Sequence, residues 1–433
     1  MDKKSNRKSK KDNIIRWDRL DNTANLFPVI TSESMTNVYR IAVTLSEDIE
    51  PELLQKAVEK VLPYFDMFQY RLKKGLFWYY FEVNRRPYPK IIEENTHPCQ
   101  FINPYLNNEY LFRVTYFKNR INLEVFHVLT DGNGALQFLR EITYQYLRYK
   151  HPELKGKVAD GLHEDTSLDS EDSYLKNYKR SAKKTYKTGK AFVVKGEKFG
   201  TGTFGIMHGY INLEDIKRVA KQYGVTLNQY LVGVFTWAIY KSYLSGMTSK
   251  HAISTCVPVN LRPYFDSYTT KNFFVVVSAV FKAVKEEYTF EEVLEEIKKS
   301  LSEQITKENL ERLFSYNVSN EKNMALRAVP LFVKNVAMKF IYRSSARANT
   351  ATLTNLGVIQ IADAYKDYID KIYAVLSMSV GQNIKGAVCS YKDTMVFTFS
   401  SAIRDTFVQK EFFRKLTEDG ICVAVETNGV YYE

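Results

Sequence analysis

The apolar strand and helix patterns of this 433-residue chain stop abruptly between residues 156 and 198. There a block of six acidic residues (160–172) precedes a block of nine basic residues (176–198), and no apolar periodicity is present. Opposite charge blocks without a core-forming face are typical of an exposed connection. The chain is also longer than one hydrophobic core usually supports. We therefore predict two halves, residues 13–155 and 199–433, joined by this charged linker.

Both halves show the periodicities of sheets flanked by helices. Residues 120–128 alternate, with Ile121, Leu123 and Val125 on one face, as in a half-buried strand. Similar patterns predict the following elements in chain order: a helix at 51–62, strands at 75–83 and 120–128, helices at 134–149, 213–223 and 226–243, strands at 252–258 and 272–281, a long helix at 289–316, strands at 350–353, 372–380 and 395–402, and a helix at 406–418. The fold class is α/β, of the α+β sandwich kind, with mixed sheets.

The formal net charge of +12 comes from two segments outside the predicted cores. Residues 1–12 carry six basic and two acidic side chains, and residues 176–198 carry nine basic and one acidic side chain. These segments account for the whole excess, and residues 1–12 are expected to form a disordered tail. A basic groove across the folded halves is not indicated, so we expect no nucleic-acid partner.

Cysteine usage and apolar runs exclude other classes. The four cysteines are scattered, which argues against a disulfide framework or a zinc site and favours buried, reduced thiols in a cytoplasmic protein. No metal-ligand spacing appears among the histidines. The longest apolar run, residues 273–281, has about half the length of a membrane helix and is interpreted as a buried strand. The basic N-terminus leads into no apolar stretch, so neither a signal peptide nor a transmembrane segment is expected.

The sharpest local motif is Phe-His-Val-Leu-Thr-Asp-Gly-Asn-Gly at residues 126–134, at a strand-to-helix junction. The two-residue period of the strand places His127 on its inward face, where an imidazole with a pKa near neutrality suits general-base catalysis. Asp131 is suited to hold the following loop through a cation, and Gly132 and Gly134 allow close approach of the backbone. A core histidine beside an ordinary Asp-Gly turn explains the motif about equally well.

Five short segments, in order along both halves, carry a resemblance to a known family. They are Arg-Leu-Asp-Asn-Thr-Ala at 19–24, Gly-Leu-Phe-Trp at 75–78, the histidine motif at 126–134, Pro-Val-Asn-Leu-Arg-Pro at 258–263 and Thr-Asn-Leu-Gly at 354–357. The chain resembles the CoA-dependent acyltransferase superfamily of chloramphenicol acetyltransferase and peptide-synthetase condensation domains, and especially its bacterial alcohol acetyltransferase branch. It departs from condensation domains in having Phe126 where they double the histidine, and it lacks the DFGWG motif of the plant enzymes.

The resemblance implies two chloramphenicol-acetyltransferase-like domains with an active-site tunnel at their interface. His127 would be the general base that activates an acceptor for direct attack on an acyl thioester, without a covalent acyl-enzyme. Asp131 would be structural, and Arg262 is the best candidate for its cationic partner, because a buried carboxylate needs one. The alternative for Arg262 is an exposed turn residue ahead of Pro263.

Further residues would support this centre. The Gly132 amide, Asn133, and Thr354 or Asn355 are candidate donors for the oxyanion of the attacked thioester, and Asn260 belongs to the Arg262 segment. Asparagine and glycine at strand ends are also common as plain turn residues.

The function predicted from this resemblance is O-acyl transfer from an acyl-CoA, most simply acetyl-CoA, to a small alcohol. Acyl-CoA is then a co-substrate, and no bound cofactor is expected. An amine acceptor remains open, as does a carrier-protein thioester donor in lipid or peptide biosynthesis. A non-catalytic binding protein is the second alternative. Because one chain contains both halves, a monomer is the simplest expectation.

Overall fold

The computed structural model describes residues 17–156, 171–180, 189–322 and 327–432. The predicted tail and much of the predicted linker lie outside the described residues. The strands are β1 Trp17–Arg19, β2 Val38–Leu45, β3 Tyr70–Lys74, β4 Tyr79–Val83, β5 Ile92–Glu93, β6 Phe112–Phe117, β7 Arg120–Phe126, β8 Gly205–Asn212, β9 Ile253–Asn260, β10 Phe274–Phe281, β11 Ala351–Val358, β12 Ile369–Leu376, β13 Ile384–Tyr391, β14 Thr394–Ser401 and β15 Val423–Thr427. The α-helices are α1 Phe27–Ile30, α2 Pro51–Val61, α3 Gly132–Lys150, α4 Ser173–Lys176, α5 Leu213–Gln222, α6 Leu227–Tyr243, α7 Arg262–Phe265, α8 Phe290–Gln304, α9 Lys307–Lys322, α10 Leu331–Ala346 and α11 Phe407–Glu418.

Two mixed sheets organise the molecule. A five-stranded sheet has the order β12-β2-β7-β6-β5, and α2 and α3 pack their apolar stripes on one of its faces. A seven-stranded sheet has the order β10-β9-β11-β13-β14-β8-β15, and α6, α8 and α11 cover one face of it in a second core. A small sheet, β1-β4-β3, adjoins them. This architecture confirms the predicted class of mixed sheets flanked by helices.

The sheets do not divide where the sequence pattern divides. Strand β12 belongs to the predicted C-terminal half, yet it pairs antiparallel with β2 along its length and forms the edge of the five-stranded sheet. After β12 the chain returns to the seven-stranded sheet as β13, which pairs with β11 and β14. The two halves therefore share a strand as well as a surface.

The charged segment is less exposed than its composition predicts. Ser173–Lys176 forms α4, and Tyr174 is buried against Phe273 with its hydroxyl donating to the Phe274 carbonyl (2.5 Å). Ala191 and Val194 are buried too. The expectation of an exposed connection is wrong for these residues, because single apolar side chains between the charges dock on the larger core.

Other differences have local causes. The long helix predicted at 289–316 is two helices, α8 and α9, because Ile305 leaves the helical conformation and the Thr306 hydroxyl accepts the Asn309 N–H to start a new helix. Strand β10 lies at the sheet edge with Val276 and Val280 exposed, so it is not fully buried as expected. Strands β2 and β13 were not predicted, because burial on both faces removes the alternation that marks a strand.

Candidate active site

His127 lies just past the end of β7, where the two halves meet. Its backbone N–H donates to the Asn37 carbonyl (2.9 Å), and its ring stacks on Phe27 of α1 at 4.6 Å between centroids. Tyr39 meets the ring edge-on, and Phe274 contacts it from the C-terminal half. Aromatic packing on several sides holds the imidazole in one orientation, which a catalytic base requires.

Asn272 fixes the tautomer of His127. Its amide nitrogen donates to the Asp21 carboxylate (3.0 Å) and to the His127 carbonyl (3.3 Å), both of which are acceptors. The amide oxygen therefore faces Nδ1 of His127 at 3.1 Å, and that nitrogen must carry the proton. This leaves Nε2 as the basic nitrogen of the ring.

Burial keeps the imidazole neutral. Desolvation is the main cause that lowers the pKa of His127 below its ordinary value of 6.5, and the cation of Lys385 adds to it. The Asp131 charge and the Asn272 hydrogen bond act in the opposite direction but are smaller. A neutral imidazole with a free Nε2 is able to accept a proton at physiological pH.

Asp131 ties the two halves together beside His127. Its Oδ1 accepts the N–H groups of Asn133 (3.1 Å) and Gly134 (3.2 Å) and so caps α3. The same carboxylate receives both terminal nitrogens of Arg262, at 2.8 and 3.1 Å, and the Phe273 N–H at 3.0 Å. The structure thus brings the predicted Asp131–Arg262 pair together, with the carboxylate facing the arginine and not the histidine.

Arg262 is buried, in contrast to the alternative of an exposed turn residue. Its guanidinium donates to the Thr269 and Lys271 carbonyls at 2.8 and 2.7 Å and to the Asn260 side chain at 3.2 Å. Asn260 also accepts the Arg262 backbone N–H at 3.1 Å. A buried arginine with its donors satisfied in this way positions the loop after β7 from the C-terminal half.

The glycines of the motif sit in tight surroundings. Gly132 is the first residue of α3, and a Cβ there would lie 2.6 Å from Leu356 of β11. At Gly134 a Cβ would collide with Thr130 and would lie 2.5 Å from the Thr270 carbonyl oxygen. Asn133 is half-buried between them, and its backbone N–H is held by Asp131. Close packing against backbone therefore requires glycine at position 134, whereas at position 132 the neighbour is the end of a leucine side chain.

Thr354 and Asn355 lie on β11, next to the segment that contacts Gly132. Both are half-buried, and Asn355 uses its side-chain oxygen to accept the Gly357 N–H at 2.8 Å. The pairing of β11 with β13 shifts between Asn355 and Val358, which marks a bulge at this point. The Asn355 oxygen thus serves a local turn, while Leu356 is the β11 side chain placed against the motif.

Sequence reasoning missed Asn272 and gave no role to Asp21. Asp21 is fully buried, and this burial raises its pKa to about 7 although Asn272 and the Ala24 N–H donate to it. Asp21 does lie inside the 19–24 segment that carries the resemblance, which is the signal that could have pointed to it. Asn272 lies 145 residues from His127 in sequence, and no local pattern marks it.

Three of the four thiols lie in buried surroundings that disfavour the reactive thiolate. Cys99, Cys256 and Cys389 are buried and unpaired, and burial raises the pKa of each. Cys422 is exposed, so the expectation of four buried thiols is wrong at that position. Within the described residues no cluster of three or more His, Cys, Asp or Glu side chains could hold a metal ion. None of the described helices has both the length and the apolar character that crossing a membrane requires.

Comparison with solved structures identifies the fold. The chain is similar to the condensation domain of the monacolin K polyketide synthase (TM-score 0.58, 11% identity, 94% of this chain and 97% of that one). It is similar to the starter condensation domain of a rhizomide synthetase variant in complex with C8-CoA (TM-score 0.60, 11% identity, 94% of this chain and 98% of that one). A third similar structure is trichothecene 15-O-acetyltransferase from Fusarium sporotrichioides (TM-score 0.58, 12% identity, 93% of this chain and 94% of that one). No protein-family model matches the sequence, and no curated protein does either.

These structures share one architecture with this chain over nearly its whole length. The fold is therefore that of these condensation domains and of this O-acetyltransferase. At 10–13% identity the similarity establishes the fold, and the chemistry has to be argued from the site.

Proposed function

We propose that the chain is a CoA-dependent acyltransferase that moves an acyl group, most simply acetyl, from acyl-CoA to an alcohol. The observation that carries the proposal is His127 itself: Asn272 holds its Nδ1 proton, burial keeps it neutral, and the ion pair of Asp131 and Arg262 anchors the loop that follows it. This is the arrangement of a positioned general base at a junction between two sheets.

In the proposed step, Nε2 of His127 takes the proton of the acceptor hydroxyl as its oxygen attacks the thioester carbonyl. The tetrahedral intermediate then expels the CoA sulfur, which takes the proton back from Nε2 and leaves as the free thiol. The products are an ester and CoA, and His127 returns to its starting state. No acyl-enzyme is needed, because the acceptor oxygen attacks the thioester directly.

The N-terminus of α3 is the proposed oxyanion site. Amides in a first helical turn lack intrahelical partners and lie at the positive end of the helix dipole. The Asp131 side chain takes the N–H groups of Asn133 and Gly134, so the Gly132 amide is the donor that we assign to the oxyanion. Asn133, Thr354 and Asn355 remain secondary candidates for the same role.

The compared structures support the choice of substrates. One neighbour is bound to C8-CoA, and another is an O-acetyltransferase by name, which favours acyl-CoA as donor and a hydroxyl as acceptor. Condensation domains among the neighbours favour a second candidate, in which a carrier-protein thioester is the donor.

Release of free thiol from acetyl-CoA across a panel of alcohols and amines tests the proposal. We expect His127→Ala to lower the rate by about a hundredfold or more, the contribution of a general base. His97→Ala is the matched control, because His97 is an exposed histidine, and it should keep the wild-type rate. Equal rates for wild type and His127→Ala would refute the mechanism. Turnover only with an acylated carrier protein would select the second candidate.

A further inference from the structure

Helix α10 has its apolar side turned to solvent. The residues that face the body of the protein are Leu331, Asn335, Met338 and Tyr342, at helical spacing. The opposite side is strongly exposed and apolar: Phe332 is 66% exposed, Val336 71% and Phe340 77%, with Val333 and Ile341 beside them. A surface helix normally has the reverse arrangement. Exposed apolar patches of this kind mark interaction sites.

A tight turn extends this surface. The turn between β3 and β4 exposes Leu76 and Trp78, and its backbone is bound to the first turn of α10. The Leu331 N–H donates to the Leu76 carbonyl (2.8 Å), and the Lys334 ammonium donates to the Phe77 carbonyl (3.0 Å). We call the combined surface the α10 face; it consists of Leu76, Trp78, Phe332, Val333, Val336, Phe340 and Ile341.

The charged residues of the α10 segment have one sign. No acidic residue occurs between Lys322 and Asp363 in the sequence, whereas this stretch contains several basic ones. Lys339, Arg343 and Arg347 are exposed in the second half of the helix and just after it. Outside residues 1–12 and 176–198 the net charge of the chain is still zero, because acidic residues elsewhere balance these cations. An apolar helix face with Phe and a nearby Trp, on a segment whose charged side chains are all cations, has the composition of a segment that lies in the interface of an anionic bilayer.

We infer that the α10 face binds peripherally to the surface of an anionic lipid membrane. Its aromatic and aliphatic side chains would enter the headgroup boundary, while Lys339, Arg343 and Arg347 contact lipid phosphates. Helix α10 is too short and too charged to span the bilayer. It would therefore lie along the membrane surface.

The inner side of α10 leads toward the candidate active site. Met338 and Tyr342 pack with Ile30 and Met35 in a small cluster that includes α1, and Phe27 of α1 stacks on His127. Membrane binding at the α10 face would therefore place the candidate site next to lipid. The inference about binding does not depend on the proposed reaction, because it is tested without an acyl donor.

Co-sedimentation of the full chain with vesicles tests the inference. We expect binding to phosphatidylcholine vesicles that contain phosphatidylglycerol, weak binding to phosphatidylcholine alone, and loss of binding at high salt. Phe340→Ser should lower the partition coefficient by about tenfold or more, since it removes one large apolar side chain that would be buried in the bilayer. Lys339→Glu should lower it at least about fivefold, the value of one charge near the surface.

Phe407→Ser is the matched control. Phe407 is 56% exposed at the start of α11, which packs in the larger core. Helix α10 lies on the other side of the seven-stranded sheet, where Tyr342 is close to Cys256. The control should therefore bind like wild type. Binding that Phe407→Ser and Phe340→Ser reduce equally would overturn the inference, and so would no binding to anionic vesicles. Self-association that Phe340→Ser abolishes, without vesicle binding, would assign the α10 face to a second copy of the chain instead.

Discussion

Asn272 links the imidazole of His127 to the buried carboxylate of Asp21, and we expect it to act as a positioning residue. In Asn272→Ala the Nδ1 proton loses its acceptor, so the neutral tautomers mix and kcat should fall by about ten- to a hundredfold with little change in the KM for acyl-CoA. The Asn272 hydrogen bond raises the pKa of His127, so its removal should also move the acidic limb of the kcat profile to lower pH.

The pH profile separates positioning from a general loss of stability. Asn383→Ala is a suitable control, because Asn383 likewise donates a side-chain hydrogen bond to a backbone carbonyl, that of Val194 (2.8 Å), away from His127. It should leave both kcat and the profile unchanged. If Asn272→Ala lowers kcat but leaves the acidic limb where it was, the positioning role assigned to Asn272 is wrong.

At the residue scale the sequence identifies polar side chains that occur where the surrounding residues form apolar strands and helices. His127, Asp131 and their glycines stand out because a polar motif interrupts a strand-to-helix junction. Arg262 is implied by the family resemblance, in agreement with the cation that a buried carboxylate requires. Asn272 could not be found in this way, since an asparagine before an apolar strand is an ordinary residue. Its role exists only because β10 begins beside His127 in three dimensions.

At the scale of elements, the start of α3 depends on a glycine that a helix would otherwise disfavour. Replacing glycine by alanine inside a helix usually gains up to about 1 kcal/mol. At Gly134 the new Cβ meets Thr130 and lies 2.5 Å from the Thr270 backbone oxygen, which cannot rotate away. We expect Gly134→Ala to lower the free energy of unfolding by about 1–2 kcal/mol, because overpacking exceeds the helix propensity. Urea denaturation measures this change.

Gly233 in α6 offers a matched comparison. Its Cβ would lie 2.5 Å from Leu294 Cδ1, the end of a side chain that can change rotamer. Gly233→Ala should therefore change the free energy of unfolding by less than Gly134→Ala does, within about 1 kcal/mol of wild type. It should also keep acyl transfer, while Gly134→Ala displaces the loop of His127 and loses it. A larger destabilisation by Gly233→Ala would show that the contact with the Thr270 backbone is not the deciding factor.

The spacing of apolar residues predicted most elements that have one solvent-exposed face, and it missed several that are buried on both faces. Helices α2 and α5 lie close to their predicted limits, since each has an apolar stripe and a polar side. Helix α6 also lies close to its predicted limits, although it is buried on nearly all sides. Helix α10 was not predicted, because apolar residues lie both on its inner side, as Leu331 and Met338, and on its outer side, so no single apolar stripe marks it. The sharing of β12 between the sheets also has no sequence signal, because alternation shows that a strand exists and not which strand it pairs with.

At the scale of the whole molecule, the contact between the two sheets contains a buried histidine. His208 on β8 bonds Thr398 of β14 at 2.9 Å, and its ring lies 4.4 Å from that of Tyr373 on β12. Burial is the main cause that lowers the pKa of His208 from 6.5 to about 4, and the nearby cations of Arg120 and Lys371 contribute. The Glu426 carboxylate raises this pKa, but its contribution is smaller than that of burial. Protonation of His208 is therefore unfavourable while the sheets remain packed.

Taken by itself, His208 should consequently lower the stability of the folded chain in mild acid. Between pH 6.5 and about 4 the unfolded chain binds a proton at His208 that the folded chain does not, so stability falls as the pH falls through this window. From near pH 7 to near pH 5 this one group should cost roughly 2 kcal/mol. In His208→Gln that contribution disappears, while the opposite contribution of Asp21, whose pKa is raised to about 7, is unchanged. Urea denaturation of both proteins at the two pH values measures the difference, and an equal loss of stability in wild type and His208→Gln would rule out His208 as its source.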